Sequence, residues 1–158
     1  NELLQGAYEN IQQNIQSAQK SANERVLHAE LDSKKKLIMR REEIIDDVMK
    51  LSRAKIVEFI KSDKYEEWLL SKIEKALFEV GKGSKTIYIS SDDIKLKEKI
   101  EQIPDTSRIT VEASGEKDFL GGTKVLNTDR KVAVDYSFKE MLSEEKQKFL
   151  QSSGLALG

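Results

Sequence analysis

No cysteine occurs anywhere in the chain, so neither disulfides nor thiolate metal sites can form, and the composition fits a reducing compartment. His28 is the single histidine, lies off the apolar positions of its segment and has no Cys or second His to join it. It reads as a solvated helix residue, not as a catalytic or metal-binding one. No apolar run approaches the ~18 residues that span a bilayer, which excludes direct membrane insertion by a helix. Neither sign of charge dominates, with 27 Lys and Arg against 28 Asp and Glu, balanced in both halves of the chain. A nucleic-acid partner held by phosphate neutralisation is disfavoured on that ground, because such binding normally needs a basic face. The chain begins with Asn1 and not Met, so a signal or a longer helix upstream stays open.

Catalytic patterns are missing as well. Gly81-Lys82-Gly83 precedes a strand-like run instead of following one, and no Gly-Lys-Ser or Gly-Lys-Thr completes a phosphate loop, so it reads as a helix stop. Asp46-Asp47 and Asp92-Asp93 are adjacent carboxylates that point roughly 100° apart on a helix, and caps and solvated faces explain them better than an acid/base pair. Trp68 and Tyr65 read as core residues. No catalytic, metal or cofactor-binding residue is therefore assigned.

What the chain does have is a first segment, Ala7 to Ile60, free of both Gly and Pro, whose apolar residues recur every 11 positions. Ile11, Ala22, Ser33 and Ile44 form one row; Ile15, Val26, Leu37 and Val48 a second; Ala18, Ala29, Arg40 and Leu51 a third. All but Ser33 and Arg40 are apolar. A heptad frame begun at Ile11 would next demand Arg25, Asp32 and Lys36, so the shorter repeat fails where the longer one holds. Eleven residues in three turns is about 3.67 per turn, which favours a right-handed supercoil. The stripe is thin and cannot hold an isolated helix together in water, so a second helix must cover it. At ~1.5 Å per residue the helix would span on the order of 80 Å, the proportions of a strut. Lys34-Lys35-Lys36 with Arg40-Arg41 reads first as solvating charge and second as attraction for an acidic partner helix.

With 35% charged and 38% hydrophobic residues, the composition suits a solvated helix plus one modest globular unit. The division falls at 61/62, where Ser62 and Asp63 offer a side-chain cap to a second helix that opens with Glu66 and Glu67 and carries Tyr65, Leu69, Ile73, Ala76, Leu77 and Val80 at helical spacing. Thr86 to Ser90 reads as a strand. Ser91 and Asp92 then cap a third helix with Ile94, Leu96 and Ile100, ending before Pro104. Strands follow at Ile109–Ala113, Thr123–Leu126 and Val132–Tyr136, with a turn at Asn127, Thr128 and Asp129. This order predicts a parallel pair with a right-handed crossover followed by an antiparallel hairpin, hence a mixed sheet. Ser137-Phe138-Lys139-Glu140 is a capping-box pattern that opens a last helix, with Phe138, Met141, Leu142, Phe149 and Leu150 as packing residues. The fold class is α+β: a long helix over 1–61, a small β-α-β-β-β-α domain over 62–151, and a mobile tail over 152–158. Ile87, Ile89, Ile109, Val111, Val125, Val132 and Val134 complete the expected core. The pair Gly121-Gly122 reads as a bulge, a positive φ or a close backbone approach.

The run Arg41-Glu42-Glu43-Ile44-Ile45-Asp46-Asp47-Val48-Met49 with Ala54 and Phe59, the pieces Lys64-Tyr65-Glu66 and Leu69-Leu70, and Phe119-Leu120-Gly121-Gly122 before a strand together resemble the E-type stalk component of the V-type and A-type rotary ATPases. The resemblance covers nearly the whole chain. It departs at Tyr136-Ser137-Phe138-Lys139-Glu140-Met141-Leu142, where the family usually has Asn-Thr and then a Leu-Glu-x-Arg-Leu type segment, so contacts of that Arg are not carried over. The resemblance implies a non-catalytic peripheral-stalk subunit that holds the catalytic head against rotation, located in the cytoplasm at the membrane periphery. It also implies a G- or H-type partner helix, seated on Ile11, Ile15, Ala18, Ala22, Val26, Ala29, Leu37, Ile44, Val48 and Leu51. The second domain would dock on A- or B-type head subunits through Gly121, Gly122, Lys139, Glu140 and Lys146. The thin stripe itself implies that the isolated chain would form a weak homodimer, fold back or fray. A regulator of flagellar and type III secretion export ATPases has similar architecture and is the alternative.

Overall fold

The computed structural model describes residues 1–105 and 107–154, in two compact units, Asn1–Asp46 and the residues from Asp47 onward. The expectation of a mobile tail falls largely outside the described residues, since only 152–154 of it are described. Helix α1 runs from Glu2 to Ile60 without a break, as the absence of Gly and Pro beyond Gly6 predicts. Its end is made by side-chain chemistry. The Ser62 hydroxyl donates to the Phe59 carbonyl at 2.6 Å, satisfying one of the acceptors that a helix end leaves over. Ser62 was expected to cap the next helix. The structure corrects this: α2 (Tyr65–Glu79) begins after Lys64 with no side-chain cap.

Six positions at helical spacing on and just beyond α2, Tyr65, Leu69, Ile73, Ala76, Leu77 and Val80, are all buried. Gly81 stops the helix at φ +77°, a conformation that costs glycine no Cβ clash. The chain then enters β1 (Lys85–Ile89), a 3-10 helix (Ser91–Leu96) continuing into α3 (Lys97–Glu101), β2 (Ile109–Ala113), β3 (Gly122–Asn127), β4 (Val132–Ser137) and α4 (Phe138–Ser152). The sheet order is β2-β1-β3-β4, with β1 parallel to β2 and the other two pairings antiparallel, so the mixed sheet follows the expected connectivity. Ile87 of β1 pairs with Val111 on one side and Val125 on the other, which gathers three apolar side chains into one row beneath α2.

Several local expectations are corrected. Ser90, not Ser91 or Asp92, caps the third helical segment, its Oγ accepting from the Asp92 N–H. Ile94 is exposed, because the segment starts as a 3-10 helix and its faces repeat every three residues. Val132 is 44% exposed, being the first residue of the edge strand β4, whose outer side nothing covers among the described residues. Asn127 is not a turn residue. It is fully buried at the end of β3, where its Nδ2 donates to the carbonyls of Val80 and Lys82 at 2.9 and 3.0 Å and its Oδ1 accepts from the N–H groups of Asp129 and Arg130. One amide thus terminates α2 and shapes the β3–β4 turn.

A buried cation completes the domain. Lys85 opens β1 with its ammonium donating to Asp105 Oδ2 at 2.7 Å, both side chains almost wholly covered. Burial alone would raise the Asp105 carboxyl, but the bonds from Lys85 and from the Ser107 N–H hold it below the usual range. A carboxyl lowered in the folded state contributes stability above its unfolded value, near pH 4, that is lost as the pH falls through the folded value. Urea unfolding should therefore show a loss of stability below pH 4 that Asp105→Asn lacks. At pH 7 that variant should be less stable by about 3–5 kcal/mol, since it strands a buried ammonium.

Candidate interaction surfaces

Most of the apolar rows of α1 are uncovered among the described residues. Ile15 is 47% exposed and Leu51 66%, and Ile11, Ala18, Ala22, Val26, Ala29 and Leu37 are exposed with them, while Ile44 and Val48 are half-buried. A run of isoleucine, valine and leucine left open along a helix is a candidate interaction surface. The structure adds residues that the three rows omit. Leu4 lies one 11-residue step before Ile15 and is exposed, extending the second row toward the start of the helix; Leu27 and Ile38 make a further exposed pair at the same interval. The spacing alone could have found both.

At the other end of α1, four rings meet. Phe59 stands edge-on to Tyr65, Trp68 and Phe138 at centroid distances of 6.0, 5.6 and 6.2 Å, and Trp68 stacks on Phe138 at 4.9 Å. One ring comes from α1, two from α2 and one from α4, so the cluster ties the last turn of the long helix to the first turns of two others. Trp68 is partly buried, packed against the core and not enclosed by it.

Gly121 and Gly122 lie directly against this cluster and are buried. A Cβ on Gly121 would sit 2.7 Å from the Tyr65 hydroxyl and 3.2 Å from both Ile60 and Phe138; one on Gly122, at φ +80°, would sit 2.3 Å from the Tyr136 carbonyl oxygen. Close approach and positive φ, the reading of the pair as packing elements, are both present. Just before them the Gly121 N–H donates to the Phe119 carbonyl at 2.8 Å across Leu120, which is held at φ 64°, and Asp118 is at φ 62°. A two-residue span closed around a bulky residue at positive φ is a strained γ-turn. Arg53 of α1 fastens it by pairing with Asp118 at 3.3 Å.

The Tyr65 hydroxyl accepts from the Gly122 N–H at 2.9 Å and donates to Asp93 Oδ2 at 2.7 Å. Burial pushes both the Tyr65 phenol and the Asp93 carboxyl above their ordinary values. Asp93 was expected to lie on a solvated face. The structure places it inside, because the 3-10 turn after β1 swings it toward Tyr65.

Of the residues expected to dock a head, Lys139, Glu140 and Lys146 are exposed on α4, whose start is capped by Ser137 Oγ accepting from the Glu140 N–H. Lys139 pairs loosely with Glu116 at 3.7 Å. Gly121 and Gly122 offer no surface of their own. Among the described residues no group of His, Cys, Asp and Glu could hold a metal ion, and no helix is long and apolar enough to cross a membrane.

Residues 1–154 match the family described as the ATP synthase (E/31 kDa) subunit. The chain is 26% identical over 125 residues to the second E-type subunit of the V-type ATP synthase of Clostridium tetani, covering 78% of this chain and 61% of that protein, so it spans less than two thirds of that relative's length. It is 25% identical over 144 residues to the E-type subunit of the A-type ATP synthase of Saccharolobus solfataricus, covering 91% and 72%, and 26% identical over 133 residues to that of Pyrobaculum islandicum, covering 84% and 68%.

The ring cluster is testable by unfolding. Gly121→Ala should cost about 1–3 kcal/mol, since the hydroxyl and two side chains can give slightly. Gly122→Ala should cost more than Gly121→Ala, because backbone cannot move aside and the φ is unfavourable. Trp68→Ala should cost roughly 2–4 kcal/mol, less than a fully enclosed ring. Equal effects of the two glycine variants would contradict this packing.

Proposed function

The chain belongs to the ATP synthase (E/31 kDa) subunit family, and from that premise we propose that it is a non-catalytic stator subunit of a V/A-type rotary ATPase, holding the catalytic head still while the central shaft turns. The observation that carries this reading is the open apolar stripe on a 59-residue helix. Such a helix resists load only when a partner helix covers its seam, and a pair of that kind supplies axial stiffness and some elastic storage. Residues 1–61 work as the stalk and take a G- or H-type subunit in a right-handed pairing; residues 62–151 bind the A- or B-type head through the exposed face of α4; 152–158 form a tail. The chain works in the cytoplasm at the membrane periphery, and without its partner the same seam supports weak self-association. The ring cluster is the joint through which torque passes from helix to domain. Nothing in the site favours the export-ATPase regulator over this reading.

Mixing the chain with the stalk subunit of the same complex and measuring mass by light scattering tests the assignment. The wild type should form a stable heterodimer, while Ile15→Asp or Val26→Asp should abolish it by burying an unpaired charge in the seam, with thermal unfolding of the domain unchanged. Charge reversal at Lys139, Glu140 or Lys146 should instead weaken head assembly or uncouple turnover from ion movement, with the heterodimer intact. A Val26→Asp chain that pairs normally would overturn the stalk reading.

A further inference from the structure

Two shallow grooves run end to end along the outer face of α2 and meet at Glu74. The first, about 540 Å³, is walled by Asp63, Glu67 and Leu70; the second, about 850 Å³, by Leu77, Ile103 and Pro104, with Phe78 on its rim. Phe78 is 88% exposed, and no other large apolar side chain from Asp47 onward is so open among the described residues. An aromatic ring held in water beside an apolar groove has no role in the domain's own packing.

The charges on α2 are sorted by side. Lys72 and Lys75 lie over the Tyr136 ring at 5.1 and 5.5 Å, on the side that faces β4. Glu66 is paired with Lys99, leaving Glu67 and Glu74 along the groove with no cation of this chain against them among the described residues. Of the two lysines lining the second groove, Lys85 is matched by Asp105; Lys82 remains, against three lining carboxylates across the two grooves, Asp63, Glu67 and Glu74. A net acidic edge running beside an apolar anchor point defines the chemistry of what fits there.

We propose that the outer face of α2 docks a basic amphipathic helix of another polypeptide. Its lysine or arginine side chains lie along Glu67 and Glu74, and one apolar side chain fills the groove under Phe78. Four turns of α2 offer room for a helix of similar length. This surface is separate from the seam of α1 and from the exposed face of α4, so it adds a contact beyond those of the stator reading.

Fluorescence anisotropy on the full chain tests it, using two labelled helical peptides of about 15 residues that share one leucine stripe and differ only in carrying lysine or glutamate beside it. At ~50 mM salt the lysine peptide should bind saturably and the glutamate peptide should not, and the preference should fade at ~500 mM. Phe78→Ala and Glu74→Lys should each weaken lysine-peptide binding by about tenfold or more, as loss of a central anchor does. Lys139→Glu on α4 should leave it unchanged. Phe78 is so exposed that Phe78→Ala should unfold at the wild-type temperature, which separates lost docking from lost folding. Wild-type affinity in Phe78→Ala, no saturable binding of the lysine peptide, or equal binding of both peptides would overturn the proposal. So would self-association of the chain that Phe78→Ala abolishes, since the occupant would then be a second copy. None of these outcomes touches the stalk assignment, which stands or falls on Val26→Asp.

Discussion

The space around the Tyr65 side chain is the constraint on which the globular unit depends. Its ring is one wall of the four-ring joint, and its hydroxyl bridges the backbone of β3 to the turn after β1 through Gly122 and Asp93. For that hydroxyl to reach the sheet, the chain at 121–122 must come so close that no Cβ fits, and reaching that path takes two non-glycine residues at positive φ. The γ-turn strain at Leu120 is held by its neighbours: Phe119 is buried on one side and Arg53 grips Asp118 on the other. Local cost is accepted so that three helices can share one point.

Two buried polar contacts serve the rest of the domain in a complementary way. Asn127 and the Lys85–Asp105 pair both lie where segments far apart in the chain must stop or turn together, and both are fully matched. Apolar packing alone would leave the end of α2 and the start of β1 free to slide by a residue. A pair of directional contacts removes that freedom, at the risk that losing one partner exposes the whole cost of burial.

The extent to which all this is legible in the sequence follows from the range of the interactions. Helix α2 and the four strands could be read because their signal is local: Leu69, Ile73, Ala76 and Leu77 repeat with the helix, and β-branched runs bounded by turn residues mark strands. The capping serine of α4 was equally plain. Missed features depend on distant partners. Nothing near Lys85 announces that Asp105 will cover it, Asn127 looks like any turn asparagine until Val80 and Lys82 are brought to it, and Asp93 looks solvated until Tyr65 arrives. Val132 and Ile94 have the right residue type at positions where the sheet ends or the helix tightens, which composition does not encode. On the candidate surfaces, the 11-residue interval led to most of the exposed stripe, whereas Phe78 escaped notice because a phenylalanine next to a buried leucine reads as core.

Because Trp68 is the chain's only tryptophan and sits inside the joint, stacked on Phe138 with the Lys72 ammonium 5.9 Å from its ring, the molecule carries its own optical strain gauge. Any slip of the long helix against the domain changes the polarity around that indole. The emission colour of the unlabelled protein thus reports on the packing between the end of α1 and the domain without any added probe.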